Sequence, residues 1–230
     1  MRKYQHIFFD LDRTIWDFEA NAKEAFEEIY VHHNLSQIFP DFDTFHSAYR
    51  KYNAQLWEKF RNGAINKEDL KHVRFYLTLK EFGKDDRELA KKLGEDYVNI
   101  SARKTHLFPN SHEVLSYLKQ KYKLYIITNG FHDVQIKKIE NSDLRKYFQK
   151  IITSETAGVQ KPHEQIFRYA LKQANTKTEE AIMIGDDIEG DIKGAKAIGL
   201  DQVFFNPNRL THYIKPTFEI QSLKELKNIF

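Results

Sequence analysis

Two aspartates, Asp10 and Asp12, lie at the end of a short apolar run near the start of the chain, in the sequence Asp-Leu-Asp-Arg-Thr. Strand alternation would put both carboxylates on one face, and we expect them at the carboxyl end of the strand and in the loop after it. At ~4 Å and an effective dielectric of ~20, the two charges repel by about 4 kcal/mol. A divalent cation or a shared proton would relieve this repulsion, and capping of a helix start is the structural alternative.

A second acidic group follows the apolar run Ala181–Ile184. Four acidic residues fall within six positions, namely Asp186, Asp187, Glu189 and Asp191. A helix dipole favours acidic residues at a helix start, but this does not explain why so many follow one buried strand. Carboxylate oxygens in this number suit Mg²⁺.

Two further polar groups follow apolar runs of the same kind. Thr128, Asn129 and Gly130 end the run Leu124–Thr128 and combine a hydroxyl with a glycine-containing backbone. Such a segment can bind an anion at a helix N-terminus, although Asn-Gly is also a common turn. Lys161 precedes Pro162 after the run Ile151–Thr153, at a position where a lone lysine is usually solvated.

The apolar runs alternate with helical patterns, which predicts a parallel sheet covered on both faces. The predicted strands are His6–Leu11, Leu124–Thr128, Ile151–Thr153, Ala181–Ile184 and Val203–Phe205, and the predicted helices are Ser111–Gln120, Pro162–Ala174 and Ile188–Ile198. The fold class is therefore α/β, a doubly wound, Rossmann-like core. Ligands of such sheets bind outside the carboxyl ends of the strands, where all four polar groups fall. Together they could supply phosphoryl chemistry: a carboxylate nucleophile, an acid or base, phosphate-binding groups and Mg²⁺.

One segment interrupts this alternation with helical patterns only. Residues 17–101 contain four apolar stripes at three- and four-residue spacing and no convincing strand. We interpret this segment as an all-helical cap domain inserted into a core formed by residues 1–16 and 102–230.

Composition limits the class of protein. The 230 residues are 41% hydrophobic and 30% charged, which is typical of a globular chain. There is no cysteine, and 36 basic against 33 acidic side chains leave a net charge of +3, too small to indicate a nucleic-acid partner. No apolar run could span a membrane or serve as a signal peptide, so we expect a cytoplasmic protein. No pattern predicts an oligomeric state.

The four polar groups resemble the motifs of the haloacid dehalogenase superfamily, in order and with sensible spacing. The first is Phe-Phe-Asp-Leu-Asp-Arg-Thr, ending at Thr14, and the others centre on Thr128, Lys161 and Asp186. The helical insert after the first motif is similar to the helical-cap subgroup. Position 13 is Arg, where many relatives carry Gly, Asp or Asn.

The resemblance implies roles for the matching residues. Asp10 would attack phosphorus and form an aspartyl-phosphate, and Asp12 would protonate the leaving oxygen and then activate water. Mg²⁺ would be held by Asp10, the backbone carbonyl of Asp12, and Asp186. Thr128 and Lys161 would bind the phosphoryl group, and Asn129 and Gly130 would add backbone contacts to it. Either Asp187 or Asp191 would bind the metal through water or orient Lys161.

The resemblance also implies a substrate class. The acid at position 12 favours phosphate esters, since dehalogenases have no alcohol to protonate. The first motif and the segment Gly63–Phe75 look most like the house-cleaning 5′-nucleotidases, which implies nucleoside monophosphates as substrates. The alternatives are a phosphomutase similar to β-phosphoglucomutase, a sugar-phosphate or phosphoglycolate phosphatase, and a non-enzymatic binding module. Candidate substrate contacts are Trp16, His132 and Arg74, the last of which could instead pair with Asp69 or Glu81.

Overall fold

A six-stranded parallel sheet forms the centre of the larger of two compact units, in a computed structural model that describes residues 4–230. The strand order is β3-β2-β1-β4-β5-β6. The strands are β1 (His6–Phe9), β2 (Lys123–Thr128), β3 (Phe148–Thr153), β4 (Ala181–Gly185), β5 (Asp201–Phe205) and β6 (Phe218–Ile220). β1 lies inside the sheet, where it pairs with β2 on one side and β4 on the other, and all four of its residues are buried. The sheet confirms the predicted fold class.

Two compact units divide the chain. One contains the segment up to Glu19 together with Thr105–Phe230, which we call the sheet unit, and the other is Ala20–Lys104, which we call the helical unit. The helices are α1 (Phe18–His32), α2 (Phe42–Arg61), α3 (Lys67–Glu81), α4 (Arg87–Ser101), α5 (Ser111–Lys119), α6 (His132–Asn141), α7 (Ser154–Ala157), α8 (Glu164–Ala174), α9 (Gly194–Ala197) and α10 (Leu226–Ile229).

Helices cover both faces of the sheet in the sheet unit. One apolar cluster joins side chains of β1 to those of α5, including Phe9 and Leu115. A second joins Phe8, on the opposite face of the same strand, to Phe167 of α8. Successive strand residues point to opposite faces, so a strand covered on both sides needs an unbroken apolar run.

The helical unit is packed around aromatic rings. Phe26 of α1 lies 4.4 Å from Tyr49 and 4.5 Å from Tyr97, measured between ring centroids. Side chains cap the starts of three of its helices: Asp41, Asn66 and Asp86 each accept a hydrogen bond from the backbone N–H of the third residue of the helix that follows.

Two elements differ from the sequence prediction. β6 was not predicted, because its three residues include only one that is buried, Ile220. The predicted helix Ile188–Ile198 is a π-helical segment, Ile188–Lys193, followed by α9. Among residues 4–230, no helix combines the length and apolarity needed to cross a membrane.

Arg13, the unusual residue of the first motif, has a backbone conformation that is uncommon for an arginine. Its φ is +63°, in the left-handed region that Gly, Asn and Asp adopt most readily. The Arg13 side chain bonds to Glu19 at 3.0 Å and lies over the ring of Phe18. These contacts hold Arg13 in a backbone conformation that smaller residues adopt more readily.

Candidate active site

Three carboxylates meet at the carboxyl ends of β1 and β4. Asp10 directly follows β1, Asp186 directly follows β4, and Asp191 comes from the π-helical segment. Each offers an oxygen within 4.8 Å of the other two. We call these three residues the carboxylate cluster. It forms because β1 and β4 are hydrogen-bonded neighbours, with Phe9 paired to Ile184.

Lys161 joins two members of the carboxylate cluster. Its Nζ donates to Asp10 Oδ1 at 2.6 Å, to Asp191 Oδ1 at 2.6 Å and to the carbonyl of Ile127 at 3.0 Å. An ammonium group has three N–H donors, and all three are used. Lys161 therefore fixes the position of Asp10 from a buried site.

The balance of charge in the carboxylate cluster fits a divalent cation. Three carboxylates face one ammonium group, that of Lys161, which leaves two negative charges in excess. The neighbouring guanidinium of Arg13 is bonded to Glu19. Carboxylate oxygens are the ligands Mg²⁺ prefers, and one Mg²⁺ would cancel the excess. The residues present thus fit the predicted metal.

The pKa values of the carboxylate cluster reflect the same excess. Burial, and after it the charge of Asp191, raise the pKa of Asp186 to about 7. Burial also raises the pKa of Asp10 well above its ordinary range, although Lys161 opposes the shift. Burial lowers the pKa of Lys161, but Asp10 and Asp191 outweigh it and raise that pKa overall. The lysine therefore stays charged, and the raised pKa values show that the crowded carboxylates lack enough positive charge, which a bound cation would supply.

These shifts predict how stability depends on pH. The folded pKa of Asp186 is about 7 against 3.8 for the free side chain, so the metal-free fold binds an extra proton between these values. That contribution is present at low pH and is lost as the pH rises through about 7. We expect the melting temperature of Asp186→Asn to increase relative to that of wild type as the pH rises, since the variant has no ionisable side chain at position 186.

Thermal melts of both metal-free proteins across this pH range measure the effect. Comparing Asp186→Asn with wild type cancels the titrating groups that do not interact with Asp186, such as His6, whose pKa burial lowers. Mg²⁺ should raise the wild-type melting temperature more at pH about 8 than at pH about 5. A difference between the proteins that stays constant with pH would contradict the account.

Asp12 is paired with a lysine, Lys138, that could not be identified as a site residue from the sequence. Lys138 Nζ donates to Asp12 Oδ1 at 2.6 Å, and Gln135 Nε2 donates to Asp12 Oδ2 at 2.9 Å. Gln135 and Lys138 lie three residues apart on α6 and therefore share one face. The ammonium of Lys138 also lies 4.0 Å from the ring centroid of Trp16. The signal available in the sequence was a polar pair at helical spacing after the Thr128 motif.

The Thr128 hydroxyl is arranged to donate a hydrogen bond. Its Oγ1 accepts from the backbone N–H of Gly130 at 3.1 Å and from Gln135 Nε2 at 2.7 Å. A hydroxyl has two acceptor positions and one donor, so its O–H is left for an external acceptor, and no protein acceptor takes it among residues 4–230. A Cβ at Gly130 would lie 2.4 Å from the Gln135 side chain, so this position needs glycine.

Asn129 positions Lys161. Its Oδ1 accepts from the Lys161 backbone N–H at 2.8 Å, and its Nδ2 donates to the Lys161 carbonyl at 3.0 Å. The side chain is thus committed to the protein. A backbone contact of Asn129 with a phosphoryl group stays a prediction.

The structure distinguishes the two supporting acids. Asp191 accepts from Lys161 and, through Oδ2, from the backbone N–H of Asp187 at 3.1 Å. Asp187 instead accepts from the backbone N–H groups of Glu189 and Gly190, at 3.0 and 3.1 Å. Asp191 is therefore the residue that orients Lys161, and Asp187 caps the π-helical segment.

The candidate substrate contacts have different surroundings. Trp16 is 1% exposed within the apolar core of the sheet unit, with Lys138 over its ring, and its substrate contact stays a prediction. His132 is exposed at the start of α6, with Nδ1 3.3 Å from Thr153 Oγ1, and its substrate contact stays a prediction.

Arg74 lies inside the helical unit. It is 5% exposed, donates to Asn53 Oδ1 at 2.9 Å and lies over the rings of Tyr49 and Tyr97. Among residues 4–230 no carboxylate forms an ion pair with it, so the alternative pairing with Asp69 or Glu81 is wrong. Whether Arg74 contacts substrate stays a prediction.

The family is established by comparison with known proteins. The model of haloacid dehalogenase-like hydrolases matches residues 4–199. The chain therefore belongs to the haloacid dehalogenase-like hydrolase family and is a hydrolase.

Two relatives cover nearly the whole chain. HAD-hydrolase YfnB of Bacillus subtilis (strain 168) is 32% identical over 100% of this chain and 96% of its own length. Pyrimidine 5′-nucleotidase YjjG of Escherichia coli (strain K12) is 32% identical over 99% of this chain and 98% of its own length. A crystal structure of YfnB bound to magnesium superposes with a TM-score of 0.88, covering 99% of this chain and 98% of that chain.

Proposed function

We propose that this hydrolase is a Mg²⁺-dependent phosphomonoesterase that acts through an aspartyl-phosphate on Asp10. The observation that carries the proposal is the arrangement around Asp10: a carboxylate held by Lys161, beside a second carboxylate, Asp12, that has a separate cation. Two carboxylates with different partners can take different roles, one as nucleophile and one as acid and base. This division of roles is what an ester hydrolase with a covalent intermediate requires.

In the first half of the reaction, a carboxylate oxygen of Asp10 attacks phosphorus and the bond from phosphorus to the ester oxygen breaks. Asp12, in its protonated form, donates this proton to the departing oxygen, which leaves as an alcohol, and the carboxylate that remains pairs with Lys138. In the second half, Asp12 takes a proton from water as the water oxygen attacks phosphorus. The bond to Asp10 breaks, inorganic phosphate leaves, and Asp10 returns to its initial state.

Four groups would stabilise the transferring phosphoryl group. Thr128 would donate its free O–H, and Lys161 would place positive charge beside Asp10. Backbone N–H groups at Asn129 and Gly130 would add contacts, with the N–H of Gly130 shared between Thr128 Oγ1 and the phosphoryl group. Asp10, Asp186 and the backbone carbonyl of Asp12 would hold Mg²⁺, which when bound supplies charge stabilisation at the phosphoryl oxygens.

We propose nucleoside monophosphates as the substrate class. The support is the similarity along the whole chain to a protein named a pyrimidine 5′-nucleotidase, at 32% identity. The helical unit would act as the cap that selects the leaving group. A phosphomutase or a sugar-phosphate phosphatase would use the same Asp10 and Asp12 with a different cap surface.

A phosphate-release assay separates these candidates. Purified protein with Mg²⁺ is given nucleoside monophosphates, hexose phosphates and phosphoglycolate, and inorganic phosphate is measured. We expect kcat/KM to be highest for pyrimidine nucleoside monophosphates. Isomerised hexose phosphate without phosphate release would identify a mutase, and preference for a sugar phosphate or phosphoglycolate would overturn the nucleotidase assignment. Absence of phosphate release from every ester would overturn the phosphatase.

A further inference from the structure

Two adjacent histidines end the first helix of the helical unit. His32 is the last residue of α1 and His33 follows it, and their ring centroids are 4.8 Å apart. His33 Nε2 lies 2.7 Å from Asp96 Oδ2, on α4. The three side chains each offer one donor atom, and these atoms all lie within 4.8 Å of one another. The end of one helix and the side of another thus bring two imidazoles and a carboxylate together.

We propose that His32, His33 and Asp96 form a binding site for a divalent transition-metal ion, with Zn²⁺ as the representative ion. Two imidazoles and one carboxylate are the donor set of three-ligand zinc sites, in which water takes the fourth position. Imidazole nitrogen favours Zn²⁺, Ni²⁺ and Cu²⁺ over Mg²⁺. The site is chemically distinct from the carboxylate cluster of the sheet unit, which offers only oxygen.

The distances are close to those a bound ion needs. Ligand atoms about 2.1 Å from a tetrahedral ion are separated from one another by roughly 3.4 Å. The His33–Asp96 contact of 2.7 Å must open slightly, and His32 must turn inward. His32 is exposed, so its ring can turn away from the edge contact with His33, and on binding through Nε2 a neutral His33 carries its proton on Nδ1.

The surroundings favour a cation. α1 has 15 residues, and the negative end of its dipole lies at His32. His33 also lines a solvent-open hollow of about 470 Å³, where Lys84 and Lys92 are balanced by Asp86 and Glu88, and this hollow would give a bound ion access to water as its fourth ligand. The side chains of His33 and Asp96 are 12% and 38% exposed, so an ion can reach them from solvent.

His32 separates a metal site from a simple ion pair. A His33–Asp96 pair without metal makes no use of His32, whereas a three-ligand site loses one ligand when His32 is replaced. Removing a ligand from a metal site costs at least about tenfold in affinity. Because His32 is exposed, His32→Gln should fold normally even if His33→Gln does not.

Isothermal titration with ZnCl₂ tests the proposal on untagged protein stripped with EDTA and then kept in excess Mg²⁺. We expect one Zn²⁺ per chain with a micromolar or tighter Kd, and at least about tenfold weaker binding in His32→Gln and in His33→Gln. His72→Gln is the matched control, because His72 pairs with Glu68 at 3.2 Å in the same unit without a second histidine. It should bind as wild type does.

Three results would overturn the site. They are no Zn²⁺ binding by wild type, undiminished binding by His32→Gln, and loss of the binding in Asp10→Asn, which would place the ion at the carboxylate cluster. Thermal melts give a second readout, since Zn²⁺ should raise the melting temperature of wild type more than that of His32→Gln. None of these measurements depends on the proposed phosphatase activity.

Discussion

Replacing Asp10 by Asn should reduce turnover of p-nitrophenyl phosphate by about 10⁴-fold or more while leaving the fold intact. An amide oxygen is a poor nucleophile for phosphorus, so the covalent step is lost. The fold should survive because burial already disfavours the charged form of Asp10 by raising its pKa, and Lys161 keeps its bond to Asp191. Steady-state kinetics and a thermal melt of the same preparation measure both parts.

The combination of results is what identifies the nucleophile. A variant that is inactive and also unfolded would report only on packing, so the melting temperature must not fall in metal-free buffer. Asp10→Asn with turnover within about tenfold of wild type would remove Asp10 as nucleophile. EDTA should abolish wild-type activity in parallel, and added Mg²⁺ should restore it.

Replacing Lys138 by Met should lower kcat for a nucleoside monophosphate about 100-fold with little change in KM. Lys138 holds Asp12 Oδ1 at 2.6 Å, and without this ion pair the acid–base group loses its fixed position. Methionine keeps an unbranched apolar stem against Trp16, which limits the cost to packing. Lys138 acts through Asp12 and is therefore a positioning residue.

The leaving group provides the readout that a packing defect would not change. p-Nitrophenolate leaves without needing a proton, so Lys138→Met should lose less activity on p-nitrophenyl phosphate than on a nucleotide. Lys137→Met is the matched control, because Lys137 is the exposed neighbour on the same helix. Equal losses on both substrates, or a kcat within about twofold of wild type, would contradict the role given to Lys138.

The sequence predicts the sheet unit well because its strands are buried on both faces. An unbroken apolar run such as that of β1 can be recognised without knowing its neighbours, and parallel strands then bring Asp10, Thr128 and Asp186 to one edge. Three of the motif residues are predictable for the same reason, since Asp10 and Asp186 directly follow a strand and Thr128 ends one. β6 could not be recognised, because its three residues, Phe-Glu-Ile, are too few to establish a strand pattern.

Partners across long sequence separations could not be predicted. Lys138 lies 126 positions from Asp12 and reads in the sequence as one of many helical lysines. Its role depends on how α6 packs against the end of β1, which no local pattern records. The contact between Trp16 and Lys138 could not be predicted for the same reason, because the sequence does not show that the ammonium of Lys138 lies over the Trp16 ring. The choice between Asp187 and Asp191 likewise depended on the path of the π-helical segment.

A direct test of the covalent intermediate is to trap the phosphoryl group on the protein. Wild-type protein with Mg²⁺ is mixed with a nucleoside monophosphate, quenched in acid during turnover, reduced with borohydride and digested for mass spectrometry. We expect Asp10 to be converted to homoserine in wild type only when substrate is present, and we expect no such conversion in Asp10→Asn. Steady release of phosphate with residue 10 unmodified at every quench time, or with the label on another carboxylate, would contradict it.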